Sequence, residues 1–338
     1  MTEECDNCKY KNWDCKNCFI DAKEGDNINV VFFLIMTRQC NFRCNYCAID
    51  FSDDILGYDV IDNFINFLKN NRNKINELRL EFFGGEPLLE YEKIKYIVEH
   101  TRQLDISNYL IVTNGSLLTK EKINFLINNK IQIIFSVALH SKEILNNVEL
   151  FKDIKLNNFL INFIIEPGKE ILMYDIFKKL LKIGFRKFSL IPIRYTQKWS
   201  ESNLINLDYL LKKIKKINDI FLINNIHLDL FTGKNNDDME KGIGKNDFEI
   251  LLDFNGKLYA DYEVELYILR DLVPKEIFNI DSTIIGNIMD SDINFRNILK
   301  NRNKIKPNYH INNIGKYLDI ENSDIGLGQV MRKYNINL

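Results

Sequence analysis

Beyond Cys47 the sequence contains no cysteine, and all 7 of its thiols lie between Cys5 and Cys47. An odd number crowded at one end, with no secretory leader ahead of them, argues against a disulfide framework. Clustered thiols in a reducing compartment usually hold metal. Charge of neither sign is in excess, since 45 Lys and Arg oppose 47 Asp and Glu for a net of -2. No basic field therefore steers the chain onto nucleic acid, which is not an expected partner. Long apolar runs are missing as well. Runs such as Val30 to Met36 fall far short of the roughly 20 residues that span a bilayer. The acidic start MTEECDNC lacks the charged and apolar regions of a signal peptide. The expectation is a cytoplasmic protein with no membrane partner. What the chain does have is bulk: 338 residues, 46% hydrophobic, suffice for a substantial core.

Residues 1 to about 26 are polar, carry four cysteines and end in the loop-like EGDN, so they form a small appended module held by whatever the thiols bind. From Asn29 onward, fully apolar runs alternate with amphipathic segments. NVVFFLIMT precedes YDVIDNFINFLKNNR, ELRLEFF precedes EYEKIKYIVEHTRQ, and NYLIVT precedes TKEKINFLINN. IQIIFSVAL, FLINFII and RKFSLIPI continue the series, with SKEILNNVELFKDIKLNN, EILMYDIFKKLLKIG and LINLDYLLKKIKKINDIFLINN as the intervening or following helical segments. Apolar runs joined by segments of 3.6-residue period predict buried parallel strands with helical crossovers, in six units ending near Asn225. A Gly-rich, charged linker follows, and FEILLDFNGKLYADYE predicts a hairpin around an Asn255-Gly256 turn. One more helix is expected around SDINFRNILKNRN, ahead of a basic, Asn-rich tail.

Directly after the first strand, Cys40, Cys44 and Cys47 stand in a C-x3-C-x2-C spacing. One loop can bring three thiolates to three corners of a small cluster, leaving an iron without a protein ligand, whereas structural zinc normally takes four. This loop, with the aromatic Tyr46 before its last cysteine, resembles the cluster motif of the radical S-adenosylmethionine (SAM) enzymes. Gly84-Gly85-Glu86-Pro87, at the end of the second strand, resembles the family's GGEP segment that hydrogen-bonds the SAM amino group. Glycines there let backbone come close to a ligand, and Glu86 complements an ammonium. Thr113-Asn114-Gly115 resembles the TNG segment, Ser136 matches a polar position near SAM ribose or carboxylate, and Arg194 follows strand six. All lie at the carboxyl ends of successive strands, where barrel active sites are built. His140 stands where the peptide-modifying branch often has an Asp-Gly pair, and with no acidic partner nearby in sequence it reads as a loop cap in preference to a substrate contact. Glu166 is ambiguous in the same way.

The resemblance covers about 29 to 230 and extends more weakly to about 300. It implies an α/β fold: a partial (β/α)6 radical SAM barrel at about 27–230, the Cys-rich module at about 1–26, and an α+β extension with a hairpin at about 231–338. It implies a 4Fe-4S cluster on Cys40, Cys44 and Cys47 that cleaves SAM reductively to a 5'-deoxyadenosyl radical, fed by a reductant such as flavodoxin or ferredoxin. SAM itself would meet Tyr46, Gly84, Gly85, Glu86, Pro87, Asn114, Ser136 and Arg194. Cys5, Cys8, Cys15 and Cys18 make a close-set tetrathiolate suited to zinc or to a second, saturated 4Fe-4S cluster, with iron-sulfur favoured. The hairpin and the later IIGNIMDSDIN resemble the SPASM and twitch extensions of peptide maturases. Tyr259-Ala260-Asp261 and Gly242-Ile243-Gly244 replace the cluster cysteines there. The implied substrate is a ribosomally made peptide or protein, modified by crosslinking, thioether formation or epimerisation. The alternative is a small metabolite or cofactor precursor.

Overall fold

Residues Asn29–Thr37 alternate in burial, with Val30, Phe32 and Leu34 fully covered and Val31 and Phe33 partly open. A strand buried in this way needs cover on one face and a lined interior on the other. The computed structural model supplies both. It describes residues 28–47, 49, 51–194, 196–224, 229–231, 247–260, 280–302, 304 and 321–334. Cys5, Cys8, Cys15, Cys18, Gly242 to Gly244 and Asp261 lie outside the described residues.

The strands are β1 (Asn29–Thr37), β2 (Leu78–Gly84), β3 (Asn108–Thr113), β4 (Ile131–Val137), β5 (Phe159–Ile165), β6 (Lys187–Pro192), β7 (Asp229–Phe231), β8 (Asp247–Leu252), β9 (Lys257–Ala260) and β10 (Ile284–Asn287). The helices are α1 (Tyr58–Asn71), α2 (Tyr91–Thr101), α3 (Lys120–Asn128), α4 (Lys142–Asn146), α5 (Val148–Phe151), α6 (Glu170–Ile183), α7 (Glu201–Ile223), α8 (Phe295–Arg302) and α9 (Glu321–Lys333). Strands β1 to β7 follow one another in parallel across one sheet, as a strand and helix alternation demands. This is the α/β arrangement of a partial barrel. Its outer face packs on the helices, for example with the Phe32 ring edge-on to Phe64 at 5.1 Å. A second, small apolar cluster of Ile134, Leu160, Leu110 and Val112 is separate from that core and lines the inner face. Among the described residues no helix is long and apolar enough to cross a membrane.

The predicted hairpin forms, with Gly256 at φ +79 in its turn. Asp253 holds it by accepting from the Asn255 and Lys257 amides at 2.9 and 3.0 Å and from the Tyr259 hydroxyl at 3.1 Å. Its place is what local pattern did not reveal. β8 pairs in parallel with β1, Phe33 opposite Leu251, so the hairpin and β10 continue the barrel sheet beyond its first strand.

Two segments depart from expectation. The stretch predicted as one crossover helix after β4 is two short ones, α4 and α5, broken at Asn147, whose ψ of 69° leaves the helical region. Paired asparagines compete for backbone hydrogen bonds and favour such breaks. The Asn-rich tail contains α9, which buries Leu327 and Met331, and Lys333 and Tyr334 bond Asp208 of α7 at 2.7 and 3.0 Å.

Candidate active site at the carboxyl ends of the strands

The loop after β1 is shaped by its own backbone. Cys47 N–H donates to the Cys44 carbonyl at 3.0 Å, and Arg43 reaches back to the Cys40 and Phe42 carbonyls at 2.5 and 2.8 Å while its guanidinium lies 4.0 Å over the Phe51 ring. The result turns Cys40, Cys44 and Cys47 toward one cavity of about 540 Å³, within the size range of small-molecule sites. Gly84, Gly85, Asn114, Ser136, Arg194 and Tyr46 line the same cavity. The sheet brings them there: each sits at or just past the carboxyl end of its strand, apart from Tyr46, which belongs to the cysteine loop.

Glu86 and Pro87 are not among the cavity's lining residues. The Glu86 carboxyl is fully buried. Its Oε1 accepts from Leu88 N and Thr113 Oγ1 at 3.0 and 2.8 Å, and its Oε2 from Asn114 N at 2.8 Å. Burial pushes this carboxyl upward, opposed by those three hydrogen bonds. Pro87 begins the short turn that follows.

The glycines also serve a purpose that the motif alone does not disclose. A Cβ on Gly85 would lie 2.1 Å from the Gln39 carbonyl oxygen, and one on Gly84, at φ +134, would lie 2.3 Å from that of Thr37. The close approach they permit is to the backbone entering the cysteine loop. Gly85 N–H and Glu86 N–H donate there, to Thr37 and Gln39 carbonyls, both at 2.8 Å. Asn114 completes the brace, its side-chain amide donating to Asn41 at 3.0 Å and to the Cys40 sulfur at 3.7 Å.

His140, expected as a loop cap, lines the cavity. Its Nδ1 is 3.7 Å from the Cys44 sulfur, its ring lies 4.6 Å from Phe42 and stacks at 6.4 Å on Tyr46, and Nε2 is buried without a partner among the described residues. Burial lowers its basicity. No sequence signal brings it to the loop, because 96 residues separate it from Cys44. Asn162 and Ser189 also line the cavity and were missed. Ser136 pairs with Asn162 and Asn162 with Ser189, a polar row across three strands that alternation within otherwise apolar runs could have flagged. Glu166, just past β5, hydrogen-bonds Gln197, and burial raises its carboxyl.

Burial pushes all three thiols above their usual range. Hydrogen bonds from Phe42 N–H to Cys40, the Tyr46 hydroxyl to Cys44 and Ile49 N–H to Cys47 act the other way. Burial also raises Tyr46, with Cys44 adding to the effect. Among the described residues no three His, Cys, Asp or Glu side chains converge as ligands of a single ion. Three thiols around a shared cavity, each met by a hydrogen-bond donor, suit a cluster that takes three protein thiolates.

Residues 34–201 match the Radical SAM superfamily. The radical SAM cyclopropyl synthase TigE of Paramaledivibacter caminithermalis is 31% identical over 130 residues, which are 33% of this chain and 27% of that one. The GTP 3',8-cyclase of Staphylococcus carnosus is 25% identical over 215 residues, 55% of this chain and 62% of the cyclase. The chain thus spans less than two thirds of either relative. Among solved structures, native anSMEcpe with bound AdoMet and Cp18Cys peptide superposes with a TM-score of 0.60 at 17% identity, covering 82% of each chain.

Proposed function

From the premise that residues 34–201 are a radical SAM superfamily domain, we propose that this protein is a radical SAM enzyme that modifies a ribosomally made peptide or protein. One observation carries the enzyme reading. The three cysteines of a single loop share a cavity with Gly84, Gly85, Asn114, Ser136 and Arg194, contributed by the ends of four other strands. Cys40, Cys44 and Cys47 would hold a 4Fe-4S cluster, which together with SAM supplies a 5'-deoxyadenosyl radical able to take hydrogen from a substrate. The chain's own work is binding and bracing. Asn114 braces the loop through Asn41, and the buried Glu86 fixes Asn114 from behind. Ser136 and Asn162 offer polar contacts for SAM ribose or carboxylate, while Phe83, Val112, Ile164 and Leu190 give the cavity an apolar wall. Electrons come from a reductant such as flavodoxin or ferredoxin.

Support for a peptide comes from the Asn255-Gly256 hairpin, which resembles the SPASM and twitch extensions, and from the similarity to anSMEcpe, whose structure holds the Cp18Cys peptide. Tyr259, near where that branch carries a cluster cysteine, is buried here and donates to Asp253. The extension is therefore read as a scaffold without a cluster at Tyr259 to Asp261. A small-molecule substrate is the second reading, favoured by the long match to GTP 3',8-cyclase. Cys5, Cys8, Cys15 and Cys18 are read as ligands of a second 4Fe-4S cluster or of zinc. Product analysis tests the substrate class. The reduced holoenzyme, given SAM and a short peptide encoded beside its gene, should change the peptide's mass. A modified nucleotide from GTP with untouched peptide would favour the small-molecule reading.

A further inference from the structure

We propose that His140 donates a hydrogen bond from Nδ1 to the Cys44 sulfur when that sulfur ligates the cluster, and thereby raises the cluster's reduction potential. The inference rests on the reading of Cys40, Cys44 and Cys47 as cluster ligands. Three observations meet on it. The Nδ1 to Sγ separation of 3.7 Å is within reach of an N–H to sulfur bond. The ring is held in place, since Phe42 and Tyr46 flank it and the turn that carries it is closed by Ala138 N–H donating to Ser141 Oγ at 3.2 Å and Ser141 N–H to the Ala138 carbonyl at 3.0 Å. The tautomer is the third. A metal-bound thiolate has no proton, so the contact persists only with the proton on Nδ1. Nε2, buried and without a partner among the described residues, is then an orphan acceptor, which proteins tolerate better than an orphan N–H.

The consequence is electrostatic. Cys40 and Cys47 receive backbone donors from their own loop, from Phe42 and Ile49, as the path of such a loop supplies by itself. His140 comes from another strand end and adds a side-chain donor to a sulfur that Tyr46 also meets. Reduction places one more negative charge on the cluster and its sulfurs. A donor aimed at one of them stabilises the reduced form more than the oxidised form.

Redox titration of the anaerobically reconstituted protein, followed by electron paramagnetic resonance without SAM, tests this. His140→Phe keeps a ring between Phe42 and Tyr46 but removes the N–H. At a fixed poise its ratio of reduced to oxidised cluster should fall about tenfold, a shift of about 59 mV to more negative potential for one electron. His140→Asn, which offers an N–H near the position of Nδ1, should recover at least half of that shift. A fully loaded phenylalanine variant with wild-type potential overturns the assignment, because a merely structural role would change loading and leave the potential of the loaded fraction alone. Pulsed resonance on wild type labelled with 15N-histidine gives an answer that needs no variant: a histidine nitrogen coupled to the reduced cluster is expected, and its absence overturns the inference. Wild type that takes up no iron overturns the cluster reading together with this one, so the two failures are distinguishable by iron analysis.

Discussion

The backbone N–H of Asn114 donates to Glu86 Oε2 at 2.8 Å, tying the carboxyl end of β3 to that of β2. With Thr113 and Leu88 on the other oxygen, Glu86 is a fully buried acceptor for three groups and has no direct face on the cavity. Glu86→Ala strands those donors in the interior. The variant should lose about 2 to 4 kcal/mol of stability, the scale of several buried donors left unpaired. SAM affinity should fall with it, since Asn114 and the cysteine loop lose their support. Thermal unfolding alongside a SAM titration checks the pairing. Weakened SAM binding at unchanged stability would mean that the carboxylate acts directly on the ligand.

Gly85 is the tightest steric point of the site. Its substitution by alanine puts a Cβ against the backbone carbonyl of Gln39, which cannot move without shifting the loop that carries Cys40. Gly85→Ala should cost about 2 to 4 kcal/mol and reduce iron uptake. Full iron loading in a stable Gly85→Ala protein would contradict the brace described above.

Much of this was readable beforehand, and the boundary between what was and what was not is physical. Runs such as Phe159–Ile165 are apolar at nearly every position because one face packs in the core and the other lines the barrel interior, so their identity is written locally. Cysteine spacing is local too. The pairing of Phe33 with Leu251 depends on which edge the hairpin finds, and nothing within FEILLDFNGKLYADYE encodes its partner. His140 meets Cys44 only because β4 ends beside the loop. The GGEP segment reveals residue types, yet which atoms its carboxylate faces depends on Thr113 and Asn114 in the next strand.

Glu81 predicts a pH dependence of stability. It stands on the inner face, opposite Phe33 and Leu110, and burial raises its carboxyl from 4.5 to about 7. Between these values the folded protein retains a proton that the unfolded chain has released. Stability should therefore be greatest at the acid end and fall as pH rises through that window, by at most about 1.4 kcal/mol per unit. Glu81→Gln should flatten this slope in urea unfolding from pH 4.5 to 7. Identical slopes in both proteins would exclude Glu81 as its source.

Metal analysis addresses the amino-terminal thiols. If Cys5, Cys8, Cys15 and Cys18 hold a second cubane, reconstituted wild type should carry about eight irons and a Cys40, Cys44 and Cys47→Ala triple variant about four. If they hold zinc, the triple variant should retain about one zinc and no iron. Cys15→Ala separates use in chemistry from use in folding, since product lost with deoxyadenosine retained points to the former. Metal content, stability and activity unchanged without all four thiols would make the segment a simple tail.

The central claim is that three cysteines of one loop make the site a SAM-cleaving centre. Its most direct test is chromatographic measurement of 5'-deoxyadenosine formed from SAM by anaerobically reconstituted, chemically reduced protein. Wild type should form it, and the triple variant at Cys40, Cys44 and Cys47 should form none. Continued deoxyadenosine production by the triple variant would contradict the account.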